Sequence, residues 1–116
     1  MKKVLIVGGT DSERTVLKIA LEAAGYRVSS AVTRKYTNRW LGRRIKPFDL
    51  IIYDLADAPQ SSDFWPELRE QAGATLILML TDFGDSTDYT ALGMNRVLRR
   101  PFALDDIVKI ANEPFA

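Results

Sequence analysis

Hydrophobic residues in this chain come in short runs separated by longer amphipathic stretches, and the two kinds alternate. Val4 to Val7 is a β-branched apolar run that stops at Gly8-Gly9, and it predicts a first strand. Thr10 followed three residues later by Glu13 has capping-box spacing. The helix it opens places Leu17, Ala20, Leu21 and Ala24 on one face and ends at Gly25. Tyr26 to Ala31 predicts a second strand, and Thr33 to Arg44 a very basic helix. Leu50 to Leu55 predicts a third strand, apolar on both faces as a central parallel strand is. Ala58 to Ser62 reads as a loop into a helix from about Asp63, with Pro66 tolerated in the first turn. Thr75 to Leu80 is a fourth strand, Asp85 to about Leu92 a short helix, and Arg96 to Arg99 a brief fifth strand. Beyond Pro101, Leu104 to Ala111 predicts a last helix with Ile107, Ile110 and Ala111 facing inward.

Five strands alternating with five helices predict an α/β fold with right-handed crossovers. The expected architecture is a doubly wound (βα)5 unit, its parallel five-stranded sheet covered on both faces, spanning residues 1–116 as one domain. The functional crevice of such a sheet lies at the carboxyl ends of its strands. Gly8, Asp54, Thr81 and Arg100 all fall there, at the ends of strands one, three, four and five. Convergence of four residues from distant positions is the main functional hint that periodicity provides.

Composition narrows the chemistry. The 116 residues contain no cysteine and no histidine. That removes thiolate metal sites, disulfides and histidine-dependent hydrolase triads. The apolar stretch after Met1-Lys2-Lys3 is too short for a signal peptide, and no 18-residue apolar run exists, so the expected location is the cytoplasm. Net charge is only +1, but it is unevenly spread. No acid lies between Glu22 and Asp49, where Arg27, Arg34, Lys35, Arg39, Arg43, Arg44 and Lys46 stand. From Asp49 to Asp88 there are nine acids and one base, Arg69. Such asymmetry bears on partners rather than on fold.

Read in order, VLIVGG, DLIIYDL, LILMLTD and VLRRPF resemble the receiver domain of bacterial response regulators, from Lys2 to about Ala111. The resemblance implies a flavodoxin-like fold, no enzymatic activity of its own, and a place in two-component or phosphorelay signalling. It makes Asp54 the phosphoacceptor position and Thr81 the hydroxyl that contacts the phosphoryl group. It also implies a cis peptide between Arg100 and Pro101. The implied partner is a protein, a sensor kinase or an output protein, with no membrane.

The departures from the pattern matter as much as the matches. Gly8 and Gly9 stand where receivers carry an acidic pair, Arg100 where they carry lysine, and Val97 where they carry an aromatic switch residue. An intact site gathers three carboxylates against one lysine, and a hard divalent cation neutralises the excess. Here Asp54 and Arg100 bring one charge of each sign, which predicts a self-neutralised pair and weak or absent magnesium binding. No metal ligand set and no other cofactor are expected. The planar guanidinium fork suits a static carboxylate pair better than a mobile point charge does. The expectation is an atypical receiver acting mainly by protein–protein interaction.

Two other readings compete. In the first, Asp54 with Thr81 and Arg100 is still a phosphorylatable switch. In the second, Gly8-Gly9-Thr10 cradles an anion or nucleotide at a helix N-terminus, although it lacks the third glycine of a dinucleotide fingerprint and the lysine end of a P-loop. The basic helix with Tyr36 and Trp40 invites a nucleic-acid reading. A solvated charged face with two inward aromatics is favoured over it. Asp57, Asp82, Asp85 and Asp88 read as loop and helix-start residues, which need no metal.

Overall fold

A computed structural model describes residues 2–31, 48–54 and 64–113. Five strands form one parallel sheet: β1 (Lys3–Val7), β2 (Arg27–Ala31), β3 (Leu50–Asp54), β4 (Leu76–Thr81) and β5 (Arg96–Arg99), in the order β2-β1-β3-β4-β5. Three helices lie among the described residues: α1 (Asp11–Ala23), α2 (Phe64–Ala72) and α3 (Leu104–Asn112). The strand order reverses direction between β1 and β3, which is where a sheet of this order opens its crevice.

The alternation of side chains along each strand builds two cores, one per face. Leu5, Val7, Ile51, Tyr53, Ile77 and Met79 point to one face and pack with Trp65, Leu68 and Ala72 of α2 and with Tyr89 and Met94. Val4, Ile6, Leu50, Ile52, Leu78 and Leu80 point to the other and pack with Leu17 and Leu21 of α1 and Ile107 and Ala111 of α3. Both faces of β1, β3 and β4 are therefore dry, which explains the near-continuous apolar runs of these strands.

Several expected elements move. The helix expected over Asp85 to Leu92 is not formed; Tyr89 to Gly93 make successive turns instead. The amides of Leu92, Gly93 and Met94 close short turns on the carbonyls of Tyr89, Thr90 and Tyr89. The physical reason is local competition: the Asp85 carboxylate accepts the Thr87 amide at 3.0 Å, and the Asp88 carboxylate accepts the Thr90 hydroxyl and the Ala91 amide. Side chains of this kind offer the backbone partners outside a helix. Ala24, expected on the inner face of α1, is exposed because it is the cap that follows the last turn. β2 begins at Arg27, since the Tyr26 amide closes the end of α1 on the Leu21 carbonyl. β4 starts one residue later than expected and extends to Thr81. The basic helix expected over 33–44 with Tyr36 and Trp40, the loop 58–62, Asp57, and the start of a helix at Asp63 lie outside the described residues.

The amino edge of the sheet is closed by Arg69 of α2. Its guanidinium donates to four neutral oxygens: the carbonyls of Gly73 (3.1 Å), Thr75 (2.8 Å) and Gly93 (2.8 Å), and Asn95 Oδ1 (2.6 Å). Asn95 in turn brackets Ile77, its Oδ1 accepting the Ile77 amide at 2.9 Å and its own amide donating to the Ile77 carbonyl at 3.0 Å.

Candidate functional site

At the opposite edge, β1 runs out at Val7 and the chain turns through Gly8 and Gly9, with φ of 77° and 78°. Both angles are in the left-handed region that glycine adopts without steric cost. Arg14, buried in the first turns of α1, holds this turn by donating Nη1 to the carbonyls of Gly8 (3.1 Å) and Gly9 (2.5 Å), while its Nη2 pairs with Asp11. Thr10 caps α1, its hydroxyl accepting the Glu13 amide at 3.1 Å. A reciprocal capping box would turn the Glu13 carboxylate back on Thr10. Glu13 Oε2 instead accepts from Arg100 Nη2 at 2.6 Å.

Asp54 ends β3 and is only 3% exposed. Arg100, positioned just past β5 by its amide on the Thr81 carbonyl (2.8 Å), donates Nη2 to Asp54 Oδ2 at 2.5 Å. The same nitrogen therefore serves Asp54 and Glu13 together. Asp82 Oδ1 lies 3.5 Å from Arg100 Nη1, and the Phe102 ring lies beneath the guanidinium at 5.5 Å. Partial burial acts to lower the Arg100 guanidinium, but its bonds and charge contacts with Glu13 and Asp54 outweigh that and raise it above its ordinary value. The Arg100–Pro101 peptide is cis.

These distances correct the expected one-to-one charge count. Three carboxylates face one guanidinium, which leaves a formal charge of −2. Asp82 is largely exposed and adds little; Glu13 is the substantive addition. Net charge thus no longer argues against a divalent cation at this edge; what the geometry limits is position 9. A Cβ on Gly9 would lie 2.8 Å from Asp54 Oδ2, so the space a second carboxylate would need is taken by Asp54 itself. Among the described residues, no group of three or more acids is spaced to hold a metal ion. Position 9 therefore has no room for the second member of an acidic pair, and no chemical step is derived through a metal ion.

Thr81 lies at the end of β4, buried, one strand from Asp54. Its hydroxyl is turned to Asp85: Thr81 Oγ1 donates to Asp85 Oδ2 at 2.7 Å, and the Tyr89 hydroxyl donates to the same oxygen at 2.5 Å. The Tyr89 bond first, then those from Thr81 and Thr87, hold the Asp85 carboxyl well below the usual carboxylate range. Burial and the bond to Asp85 push the Tyr89 phenol up. Val97 sits opposite Met79 on β5, half-buried against the cluster that contains Tyr89. The structure therefore brings Gly9, Asp54 and Arg100 together, places Thr81 beside them with its hydroxyl engaged elsewhere, and leaves Val97 half-buried against the core.

Glu13 and Asp85 were not legible as site residues. Glu13 has the spacing of a helix cap, and Asp85 the setting of a helix start; nothing in either pattern reports where the carboxylate points.

No family model matches the sequence, and neither does any curated protein. Solved structures do. A response regulator receiver domain protein from Clostridium thermocellum superposes with a TM-score of 0.83 at 22% identity, over 97% of this chain and 92% of that one. Chemotaxis protein CheY4 of Vibrio cholerae is 29% identical, with a TM-score of 0.73 and 96% of both chains covered. The receiver domain of a sensor histidine kinase from Pseudomonas aeruginosa, which holds a magnesium ion in its active-site cleft, is 24% identical with a TM-score of 0.76, over 94% and 93% of the chains. The five-stranded parallel sheet, similar over nearly the whole length of these chains, gives this chain a receiver-like fold.

Proposed function

We propose that this domain is an atypical receiver that signals by binding a protein partner, a sensor kinase or an output protein, with weak or absent magnesium-dependent phosphorylation at Asp54. The observation that carries this reading is Arg100 Nη2 bonded at once to Asp54 and Glu13. A buried carboxylate so held is a poor nucleophile, because attack requires the ion pair to open first and leaves two charges partly unpaired. The domain acts as a binding module without a reaction of its own. Its leading surface is the one built from the turns of 85–93, β5 and α3, where Arg96 and Arg99 are exposed.

The phosphorylatable-switch reading loses ground because the Thr81 hydroxyl is already bonded to Asp85. The anion-cradle reading at Gly8-Gly9-Thr10 loses ground because Gly9 abuts the Asp54 carboxylate, so a bound phosphate would lie beside a negative charge.

Titration with magnesium, alone and with beryllofluoride, tests the proposal through melting temperature and tryptophan emission. Neither should shift saturably at low millimolar magnesium. A cation at 100 times its dissociation constant would add about 2.7 kcal/mol to stability, well within reach of the assay. Saturable binding lost in Asp54→Asn, or phosphate mass gained at Asp54 from acetyl phosphate, would return the domain to ordinary phosphorylated switches.

A further inference from the structure

Helix α1 carries two apolar stripes. Leu17 and Leu21 form the inner one and pack on the sheet. Val16, Ile19 and Ala23, spaced three and four apart, form an outer one that faces water. Val16 is 44% exposed and Ile19 62%. Of the four exposed large hydrophobic residues among the described ones, three lie here: these two and Leu104, which opens α3. Val16 and Leu104 share an open recess of about 220 Å³ with Phe102, Ser12 and Glu13. A single exposed apolar residue needs no explanation, but a stripe continued by a recess does.

The charges beside the stripe decide between occupants. Lys18 and Glu22 stand four residues apart along one flank, both exposed, and no ion pair among the described residues takes either. Lysine ahead of glutamate is the poorer order for a bond within one helix. A partner of a single charge sign would meet like charge at one of the two. A second copy of the chain offers both signs. We infer that α1 packs against α1 of a second copy, antiparallel about a two-fold axis near Ile19 and Ala20. That axis sets Val16 level with Ala23 of the other copy and Lys18 within reach of its Glu22, and it repeats both contacts. A net charge of only +1 per chain adds little repulsion. One 13-residue helix per chain makes a small interface. The expected dissociation constant is accordingly about 10 µM to 1 mM. The pairing does not involve Asp54 or Arg100, so its failure leaves the proposed function where it stands.

Sedimentation of the full chain between about 10 µM and 1 mM is the test, with circular dichroism checking the fold of each variant. The parent should pass from monomer to dimer and no further, since a two-fold interface closes on itself. Ile19→Glu, at an exposed position, should stay monomeric throughout. Lys18→Glu and Glu22→Lys each turn both cross-axis pairs from attraction to repulsion, and each should weaken association by about tenfold. An equimolar mixture of those two variants should dimerise as well as the parent, because every pair is then opposite in sign. A parent still monomeric at about 1 mM would overturn the inference. So would a dimer that persists in Ile19→Glu, or a mixture no stronger than its components.

Discussion

Replacing Arg100 by methionine keeps an unbranched side chain and removes the guanidinium nitrogen that Asp54 and Glu13 share. The carboxylate left behind is 3% exposed. Breaking a buried pair from one side costs about 3–5 kcal/mol when the remaining charge has no other partner. Arg100 itself keeps 28% of its side-chain exposure, so water screens part of the interaction and the lower range, about 2–3 kcal/mol, is the expected loss. Glu13→Gln removes the other recipient of the same nitrogen, but Glu13 is 41% exposed and should cost only about 0.2–1 kcal/mol. Arg100→Lys should fall between them at about 1 kcal/mol, since an ammonium keeps the charge but, with a shorter reach, gives up the guanidinium nitrogen shared by both carboxylates. Urea unfolding followed by circular dichroism separates the three. With a slope of about 1–3 kcal/mol per molar, the methionine variant should unfold at about 0.7–3 M less urea than the parent. A double-mutant cycle with Asp54→Asn should return about 1–3 kcal/mol of coupling. If Arg100→Met costs no more than Glu13→Gln, or the cycle closes near zero, Arg100 does not hold Asp54 and the proposed function loses its support.

Three further outcomes are expected. Gly9→Ala should destabilise by about 1–2 kcal/mol more than Gly25→Ala, because both require positive φ but only the first drives a methyl into Asp54; equal losses in urea would remove the crowding argument. Asp85, whose folded carboxyl titrates below the ordinary range, contributes stability that is complete above about pH 4 and is lost as pH falls through that value and below. The stability gap between the parent and Asp85→Asn should accordingly shrink on acidification, and a gap that widened in acid would contradict the bond network. Tyr89, raised by burial and by Asp85, should ionise later than an ordinary tyrosine in an alkaline absorbance titration, with Tyr89→Phe removing that late step. Because its folded value lies above the unfolded one, its contribution is present below about pH 10 and fades as pH rises through the folded value.

The sheet was readable because burial on both faces leaves a direct mark: Leu50 to Tyr53 and Ile77 to Leu80 are apolar without a break. The approach of Arg100 to Asp54 followed from the same reading, since strand ends of a parallel sheet share one edge. What periodicity does not record is the destination of a polar tip. Glu13 fits a cap by spacing and spends its carboxylate 87 residues away on Arg100. Asp85 fits a helix start and instead collects two hydroxyls that hold the chain in turns. For Glu13 a partner remote in sequence took the side chain, whereas for Asp85 bonds within four residues competed with the helix itself.

β5 is four residues long, with an arginine exposed at each end and only Val97 and Leu98 partly covered, so its own pattern says little about its offset along β4. That offset is dictated from below, by Asn95 gripping Ile77 and Arg69 gripping Asn95. The strand then acts as a ruler: five residues at about 3.3 Å each carry the alignment roughly 16 Å up the sheet to Arg100. A guanidinium remote from Asp54 thus decides whether another guanidinium reaches it. Drift at position 69 or 95 would be felt first as a misplaced charge at the far edge, with the core between them still intact.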